Sequence, residues 1–180
     1  NANVVGSGTQ VGFFNGPAVS NVKLDNIHVT ANGSQWAAVV KGYTTDAIDG
    51  VTVTNSSVTG GRNTGIIAGN CYGNIVNCTV KNCTVSGQYK VGALAGYVCC
   101  EKENGRRVIN NNVVSAVTVK LENKLADKTS FYMGQLVGQW NVAPNNCNAT
   151  AECKNNTVTN VSGVTEKIGA ILDGKVDTDF

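Results

Sequence analysis

The chain has 180 residues, of which 42% are hydrophobic and 14% are charged, and its formal net charge at pH 7 is +2. A charge this small argues against a nucleic-acid or anionic-membrane partner, and no apolar run approaches the roughly 20 residues of a membrane span. Asn and Thr, with 24 and 17 copies, supply the polar surface instead.

One pattern recurs five times along the chain. It reads Asn or Gly, then apolar-x-apolar-x, then a second Asn, then apolar-x-apolar. The copies are NVKLDNIHV from Asn21, GVTVTNSSV from Gly50, NCTVKNCTV from Asn77, NNVVSAVTV from Asn111 and NNTVTNVSG from Asn155. The second corner is Asn26, Asn55, Asn82, Ala116 and Asn160. Period-2 alternation within each copy predicts two short strands separated by a bend.

A glycine-flanked segment lies between these units. Its copies are VGFFNG from Val11, AAVVKG from Ala37, TGIIAG from Thr64, VGALAG from Val91, MGQLVG from Met133 and IGAILD from Ile168. The fourth position is always large and apolar. Extra length falls between Cys99 and Arg107, between Lys120 and Tyr132, and between Trp140 and Cys153. These stretches are polar or charged, which is typical of loops inserted into a regular coil.

A period of about 27 residues with internal alternation predicts an all-β chain folded as a parallel β-helix of about five coils. Asn tolerates left-handed backbone angles, so we expect the Asn at the corners, stacked as amide ladders. Strict alternation and β-branched residues argue against helices. An antiparallel sandwich is the alternative fold, although it would not require the same corner residue in every copy.

Alternation also makes a prediction about the glycine-flanked strand. If Leu94 points inward, Gly92 and Gly96 do so too, and Val91, Ala93 and Ala95 face outward. That outward face would be apolar, so we expect a long loop, a partner or another copy of the protein to cover it.

The seven cysteines cannot all pair within one chain. Cys78 and Cys83 fall in apolar rows and are predicted to be buried thiols. Cys71 and the Cys99–Cys100 pair follow the glycine-flanked strands of successive coils, at a spacing that suits a disulfide. Cys147 and Cys153 could close a small loop. Such bonds would fit an oxidising compartment.

Four aromatic residues follow the glycine-flanked strands, namely Tyr43, Tyr72, Tyr97 and Trp140. An exposed stripe of these rings would bind sugars, with Asn supplying hydrogen bonds, whereas the alternative is an aromatic stack that only covers the corner. Asp46 and Asp49 are the nearest approach to a catalytic carboxylate pair. With one His, His28, and no clustered thiols, we expect neither a metal site nor a cofactor, and we expect no enzyme activity.

The segments GIIAG, GALAG and GQLVG, each followed by short Asn- and Thr-rich strands, resemble the GLUG-motif repeats of bacterial surface proteins. The resemblance covers residues 11–173, and the copies VGFFNG and AAVVKG depart from it. It implies an extracellular or cell-surface β-solenoid of adhesin type, without catalytic residues.

We therefore expect residues 1–180 to form one solenoid domain of a larger polypeptide or assembly, with a structural or adhesive role in a surface protein or filament. Further coils, domains or copies would meet its ends, and a glycan or a cell surface would be its partner. The alternative function is a carbohydrate-binding or carbohydrate-processing solenoid, such as a phage receptor-binding part.

Overall fold

A computed structural model describes residues 1–100, 105–143 and 150–179. The described residues contain 24 short strands and no helix, and every strand pairing is parallel. The strands form four sheets that the chain visits in turn. The predicted parallel β-helix of about five coils is confirmed.

The first sheet, called the long sheet here, has eight strands in the order β1-β5-β10-β14-β18-β22, with β4 and β9 paired beside them. Its strands are β1 (Ala2–Gly6), β4 (Lys23–Asp25), β5 (Ile27–Ala31), β9 (Thr52–Thr54), β10 (Ser57–Gly60), β14 (Thr79–Gly87), β18 (Val113–Leu121) and β22 (Thr157–Ser162). It contains the repeated Asn-corner units.

Two further sheets, the first and second arch sheets, contain the glycine-flanked segments. The first comprises β2 (Gln10–Val11), β6 (Trp36–Ala38), β11 (Asn63–Gly65), β15 (Lys90–Gly92) and β19 (Tyr132–Gly134). The second comprises β7 (Lys41–Thr44), β12 (Ala68–Cys71), β16 (Ala95–Cys99), β20 (Val137–Asn141) and β23 (Ile171–Leu172). Where a coil has both strands, two residues, called the tip, join them. We call this unit, and the matching segment of the first and last coils, an arch.

The fourth sheet, the corner sheet, returns the chain to the long sheet. Its strands are β3 (Val19–Ser20), β8 (Ile48–Asp49), β13 (Ile75–Val76), β17 (Arg106–Asn110), β21 (Thr150–Lys154) and β24 (Asp177–Asp179). The last four residues of the predicted loop between Trp140 and Cys153 are strand, because Thr150 to Cys153 belong to β21.

The predicted rows of the long sheet stack in register. The row before the second corner is Leu24, Val53, Val80, Val114 and Val158. The row after that corner contains Val29, Val58, Val85 and Val119. All of these residues are buried except Val158, which packs against the core from a half-buried position. Alternation in the sequence therefore predicts correctly which side chains of the long sheet face inward.

Both predicted corner rows have left-handed backbone angles. Positive φ values occur at Asn21, Asn77, Asn111 and Asn155, with Gly50 between them, and at Asn26, Asn55, Asn82, Ala116 and Asn160. The amides also bond along the rows, since Asn82 donates to Asn55 at 3.3 Å and Asn55 donates to Asp25 at 2.7 Å. Asn thus occupies these positions for its conformational tolerance and its coil-to-coil hydrogen bonds.

A second amide ladder lies inside the corner, where the sequence analysis did not expect one. Asn112 is fully buried, and its side-chain oxygen accepts the backbone N–H of Cys78 at 2.9 Å. Asn156 in turn accepts the backbone and side-chain N–H groups of Asn112, at 3.0 and 2.9 Å. The side chains of Asn112 and Asn156 therefore form hydrogen bonds to the neighbouring coil, so the bend leaves neither of them without a partner.

The arches lie within the core. Their tips include Val39–Val40, Ile66–Ile67 and Ala93–Leu94, and all six residues have no exposed surface. Val91 and Ala95, predicted to face outward under a loop or partner, are also fully buried within the same core cluster. The prediction of an external cover was wrong, because the chain's own core surrounds the arch on both faces.

Paired glycines allow the two strands of an arch to touch. A Cβ atom on Gly69 would lie 2.6 Å from the backbone nitrogen of Ala37, and one on Gly65 would lie 2.6 Å from the carbonyl oxygen of Leu94. Real side chains do not tolerate such contacts with backbone. The two arch sheets therefore pack backbone against backbone, while their other faces carry the apolar residues of the core.

The sixth copy of the glycine-flanked segment was aligned wrongly. Ile168 bridges to Val137 in the second arch sheet, rather than to Met133 in the first. The backbone N–H of Leu136 bonds to the carbonyl of Lys167 at 2.9 Å, so the tip of this last arch is Glu166–Lys167. The correct copy is VTEKIG from Val164, which lacks the first glycine and has a charged tip.

Candidate functional site

Two rows of side chains meet where the arches open to the surface, and we call this region the arch mouth. The first arch sheet contributes the row Gln10, Trp36, Asn63, Lys90 and Tyr132. The second contributes the row Tyr43, Asn70, Tyr97 and Gln139. Each coil thus places one residue from each row at the mouth, and the rows follow the solenoid axis.

Successive coils pair these residues by different chemistry. The rings of Trp36 and Tyr43 stack with centroids 5.0 Å apart. In the next coil, Asn63 donates a hydrogen bond to Asn70 at 3.3 Å. In the coil after that, the ammonium of Lys90 lies 3.7 Å from the centroid of the Tyr97 ring.

The predicted aromatic stripe is only partly formed. Tyr43 and Tyr97 occupy the same row, and the Tyr72 ring lies beside Tyr43 with a centroid distance of 5.6 Å. Trp140 was predicted to join them, but it pairs with Val98 and is fully buried. Tyr97 is the first residue after its arch glycine, whereas Trp140 is the second, so the two side chains leave opposite faces of the strand.

The row from the first arch sheet is not among the residues predicted from the sequence. Trp36, Lys90 and Tyr132 each directly precede the glycine-flanked segment, and this fixed position was the available signal. Together with Tyr43 and Tyr72, Trp36 forms what we call the aromatic row, and all three side chains are half-buried.

Several lysines lie close to aromatic rings at the arch mouth, around the coil that contains β15. Lys90 also lies 5.2 Å from the ring of Tyr89, Lys128 lies 5.9 Å from that ring, and Lys124 lies 5.3 Å from the ring of Phe131. The pKa of Lys90 is lowered to about 8, mainly by burial, while Cys99 acts in the opposite direction and Arg62 contributes a smaller lowering. The cation is therefore held in a site that penalises its charge.

The predicted disulfide of Cys71 with Cys99 or Cys100 is not formed in this structure, since Cys71 is a free thiol. Cys71, Cys99 and Cys153 are buried free thiols, as are Cys78 and Cys83. Cys100 is also buried, and Cys147 lies outside the described residues. Burial raises the pKa of Cys71 to about 12, of Cys153 to about 12 and of Cys78 to about 11. Thiols that remain protonated are poor nucleophiles and poor metal ligands.

The other candidate residues take structural partners. The ring nitrogens of His28 lie 2.9 Å from the hydroxyl of Ser57 and 2.8 Å from the side-chain oxygen of Asn26. The carboxylate of Asp49 accepts a hydrogen bond from Asn77 at 2.8 Å. Across residues 1–100, 105–143 and 150–179, His, Cys, Asp and Glu form no cluster of three suited to a metal ion. The same residues include no helix long and apolar enough to cross a membrane.

Neither the family models, nor the curated proteins, nor the solved structures that were compared with this chain give a match. The resemblance to GLUG-motif repeats is therefore still a sequence-based prediction.

Proposed function

We propose that this chain is a non-enzymatic structural and adhesive module of an extracellular surface protein or filament of a bacterium. The observation that supports this role most directly is the unbroken stacking of coils. Strand pairs such as Val53 on Val80 and Val80 on Val114 repeat the same geometry through the molecule. A solenoid built from nearest-neighbour contacts is a stiff spacer whose length scales with the number of coils.

Two chemical features support an extracellular location. The surface relies on Asn and Thr rather than on charge, and the corner amides are bonded to one another from coil to coil. The described thiols are buried, which protects them from oxidants outside the cell. The resemblance to GLUG-motif repeats points to the same location.

The ends of the solenoid suggest the partners of the module. The outermost strands of the long sheet, β1 and β22, each have a neighbour on one side only. Such edges pair readily with another strand. We propose that further coils or a second copy of the chain stack on them.

Labelling of intact cells of the source organism tests the location. An antibody raised against the folded chain should label unpermeabilised cells, and mild protease treatment of those cells should remove the signal. Labelling that appears only after lysis would contradict the proposal. Beads coated with the protein should adhere to host or neighbouring cells, whereas beads coated with unfolded protein should not.

A second candidate function, carbohydrate binding, is favoured by the aromatic row. Its three half-buried rings lie side by side at the surface. Rings of this kind pack against the apolar faces of sugars. Glycan-array binding should decrease in Trp36→Ala and Tyr43→Ala variants. A Phe13→Ala variant removes a different exposed ring and serves as the control.

A further inference from the structure

A compact group of cations and aromatic rings lies around Lys90 at the arch mouth, and we call it the Lys90 patch. It contains the cations Arg62, Lys90, Lys124 and Lys128 and the rings Tyr89, Tyr97, Phe131 and Tyr132. The ring of Tyr89 lies 6.3 Å from that of Phe131 and 5.7 Å from that of Tyr132. The loop between β18 and β19 thereby places Lys124 and Lys128 next to the coil that carries Lys90.

The patch has an excess of positive charge. Its one carboxylate among the described residues is Asp127, which lies 2.7 Å from Lys128 and 3.9 Å from Arg62. Four cations and one carboxylate leave three positive charges uncompensated. The whole chain carries a formal charge of only +2, so the remainder of the chain has a net charge of −1. The net positive charge of this protein is therefore carried by the patch.

Lys90 is the centre of this excess. No carboxylate among the described residues forms an ion pair with it, and its ammonium instead contacts the faces of Tyr97 and Tyr89. A half-buried cation without an anionic partner is unfavourable, as the lowered pKa of Lys90 also indicates. A ligand anion placed beside it would stabilise the charged form and gain a charge-assisted hydrogen bond.

The rings around the cations indicate what carries the anion. Tyr89, Phe131 and Tyr132 are half-buried, and they present apolar surface next to the ammonium groups. Sugar rings match this combination, because their C–H faces pack on aromatic rings while carboxylates meet the lysines. We propose that the Lys90 patch binds an acidic saccharide of the uronic-acid type. This inference rests on the carbohydrate-binding candidate function and names its ligand class.

Aromatic and basic residues together also occur in proteins that bind single-stranded nucleic acid. Such domains are usually strongly basic along an extended surface, whereas this chain has a pI of about 8.2 and one small patch. The acidic saccharide therefore fits the charge distribution better, and a single-stranded oligonucleotide serves as a competitor in the test.

Calorimetric titration of the full chain tests the proposal with two probes. These are a tetrasaccharide of galacturonic acid and the same tetrasaccharide with its carboxyl groups reduced to alcohols. We expect the acid form to bind about tenfold more tightly than the reduced form, since each charge-assisted contact contributes this order of affinity. Raising the salt concentration should weaken only the binding of the acid form.

Two variants place this binding at the patch. The double variant Lys124→Gln with Lys128→Gln changes only a surface loop, and Lys90→Met keeps a long side chain at the arch mouth. Each should lower the affinity for the acid form about tenfold and leave that for the reduced form unchanged. The matched control, Lys23→Gln with Lys81→Gln, removes two exposed lysines of the long sheet and should leave both affinities unchanged.

The outcomes separate the two proposals. Equal binding of the acid and reduced forms would overturn the acidic ligand and leave carbohydrate binding intact. A loss in the control variant equal to that in the patch variants would also overturn it, as would stronger binding of the oligonucleotide. If neither saccharide binds, this inference fails, and the glycan array with the aromatic-row variants decides the carbohydrate-binding candidate separately. Thermal unfolding of each variant confirms that it is folded.

Discussion

A central arch and the last arch have the same backbone arrangement but different side chains. In the central arch, residues 63–71 are all buried, and the tip is Ile66–Ile67. In the last arch the tip is Glu166–Lys167, and the side chains of Ile171 and Leu172 are about 40% exposed. The backbone hydrogen bonds to the preceding arch are nonetheless formed.

The difference shows that the hydrogen bonds between coils and the packing of the core require different things of the sequence. Register at Glu166–Lys167 is set by backbone hydrogen bonds, which any residue except proline can make. Paired glycines and an apolar tip are required only where another coil lies on both sides. The last arch aligns Thr165 with Gly134, and Thr165 is exposed.

The largest expected effect comes from placing the residue of the last arch in the central one. In a Gly65→Thr variant the new Cβ would approach the carbonyl of Leu94 to 2.6 Å and the Cα of Ala95 to 2.7 Å. Because backbone on both sides must move, we expect a loss of about 5 kcal/mol or more in the free energy of unfolding, measured in urea.

The reverse exchange, Thr165→Gly, should change that free energy by less than about 0.5 kcal/mol. Gly8→Ala is a further control, since its Cβ would have only the Gln10 carbonyl nearby, at 3.9 Å. A well-folded Gly65→Thr protein with unchanged stability would show that the arch sheets do not pack backbone against backbone.

The second largest expected effect is a fall in the free energy of unfolding at alkaline pH. Burial raises the pKa of five thiols, four of them between Cys71 and Cys99 and the fifth at Cys153. Above pH 9 the unfolded thiols ionise while the folded ones remain protonated, so stability is full below about pH 9 and falls above it. Burial lowers the pKa of Lys41 and Lys90, which has the opposite effect.

Because the thiols with a raised pKa outnumber the lysines with a lowered one, we expect the free energy of unfolding to decline between pH 9 and pH 10. Urea unfolding under reducing conditions measures it. A double variant, Cys78→Val with Cys83→Val, should make the decline visibly shallower, because valine occupies the position next to Cys83 at Val117. Stability that is constant over this interval would mean that solvent reaches the thiols.

The third largest effect is a difference in stability loss between substitutions on the two faces of the second arch sheet. Trp140→Ala empties a fully buried site and should cost about 3 kcal/mol of unfolding free energy. Tyr97→Ala, at the arch mouth, should cost about 1 kcal/mol. Trp140→Phe should be milder than Trp140→Ala, since the indole N–H has no hydrogen-bond partner within the described parts of the chain. A larger loss of stability in Tyr97→Ala than in Trp140→Ala would contradict the finding that Trp140 faces the core and Tyr97 the arch mouth.

The smallest effect concerns the second corner row. Ala116 has a φ of 52°, close to the 54° of Asn82, although alanine disfavours this conformation. Ala116→Asn should therefore raise the free energy of unfolding by about 1 kcal/mol, and Asn82→Ala should lower it by about the same amount. Thermal unfolding measures the change in stability of each variant. Two changes of the same sign would contradict the role of Asn in the left-handed corner conformation.

The sequence by itself determined the coil, its period and its corners. These features depend on local conformational preferences that every coil repeats, such as the left-handed angle at Asn55 and the alternation around Val53. Repetition makes a weak local preference visible. The same repetition predicted which residues of the long sheet face the core.

Only the tertiary structure decided what the arches do. Both faces of an arch strand are buried, one against glycine and one against apolar residues, so alternation does not distinguish inside from outside at Val91 or Ala95. The orientation of Trp140 and the register of the last arch followed from coil-to-coil backbone pairing, which no single segment encodes. The meeting of Lys90 with Tyr97 required both strands of one arch to be placed, because the two side chains come from opposite sheets.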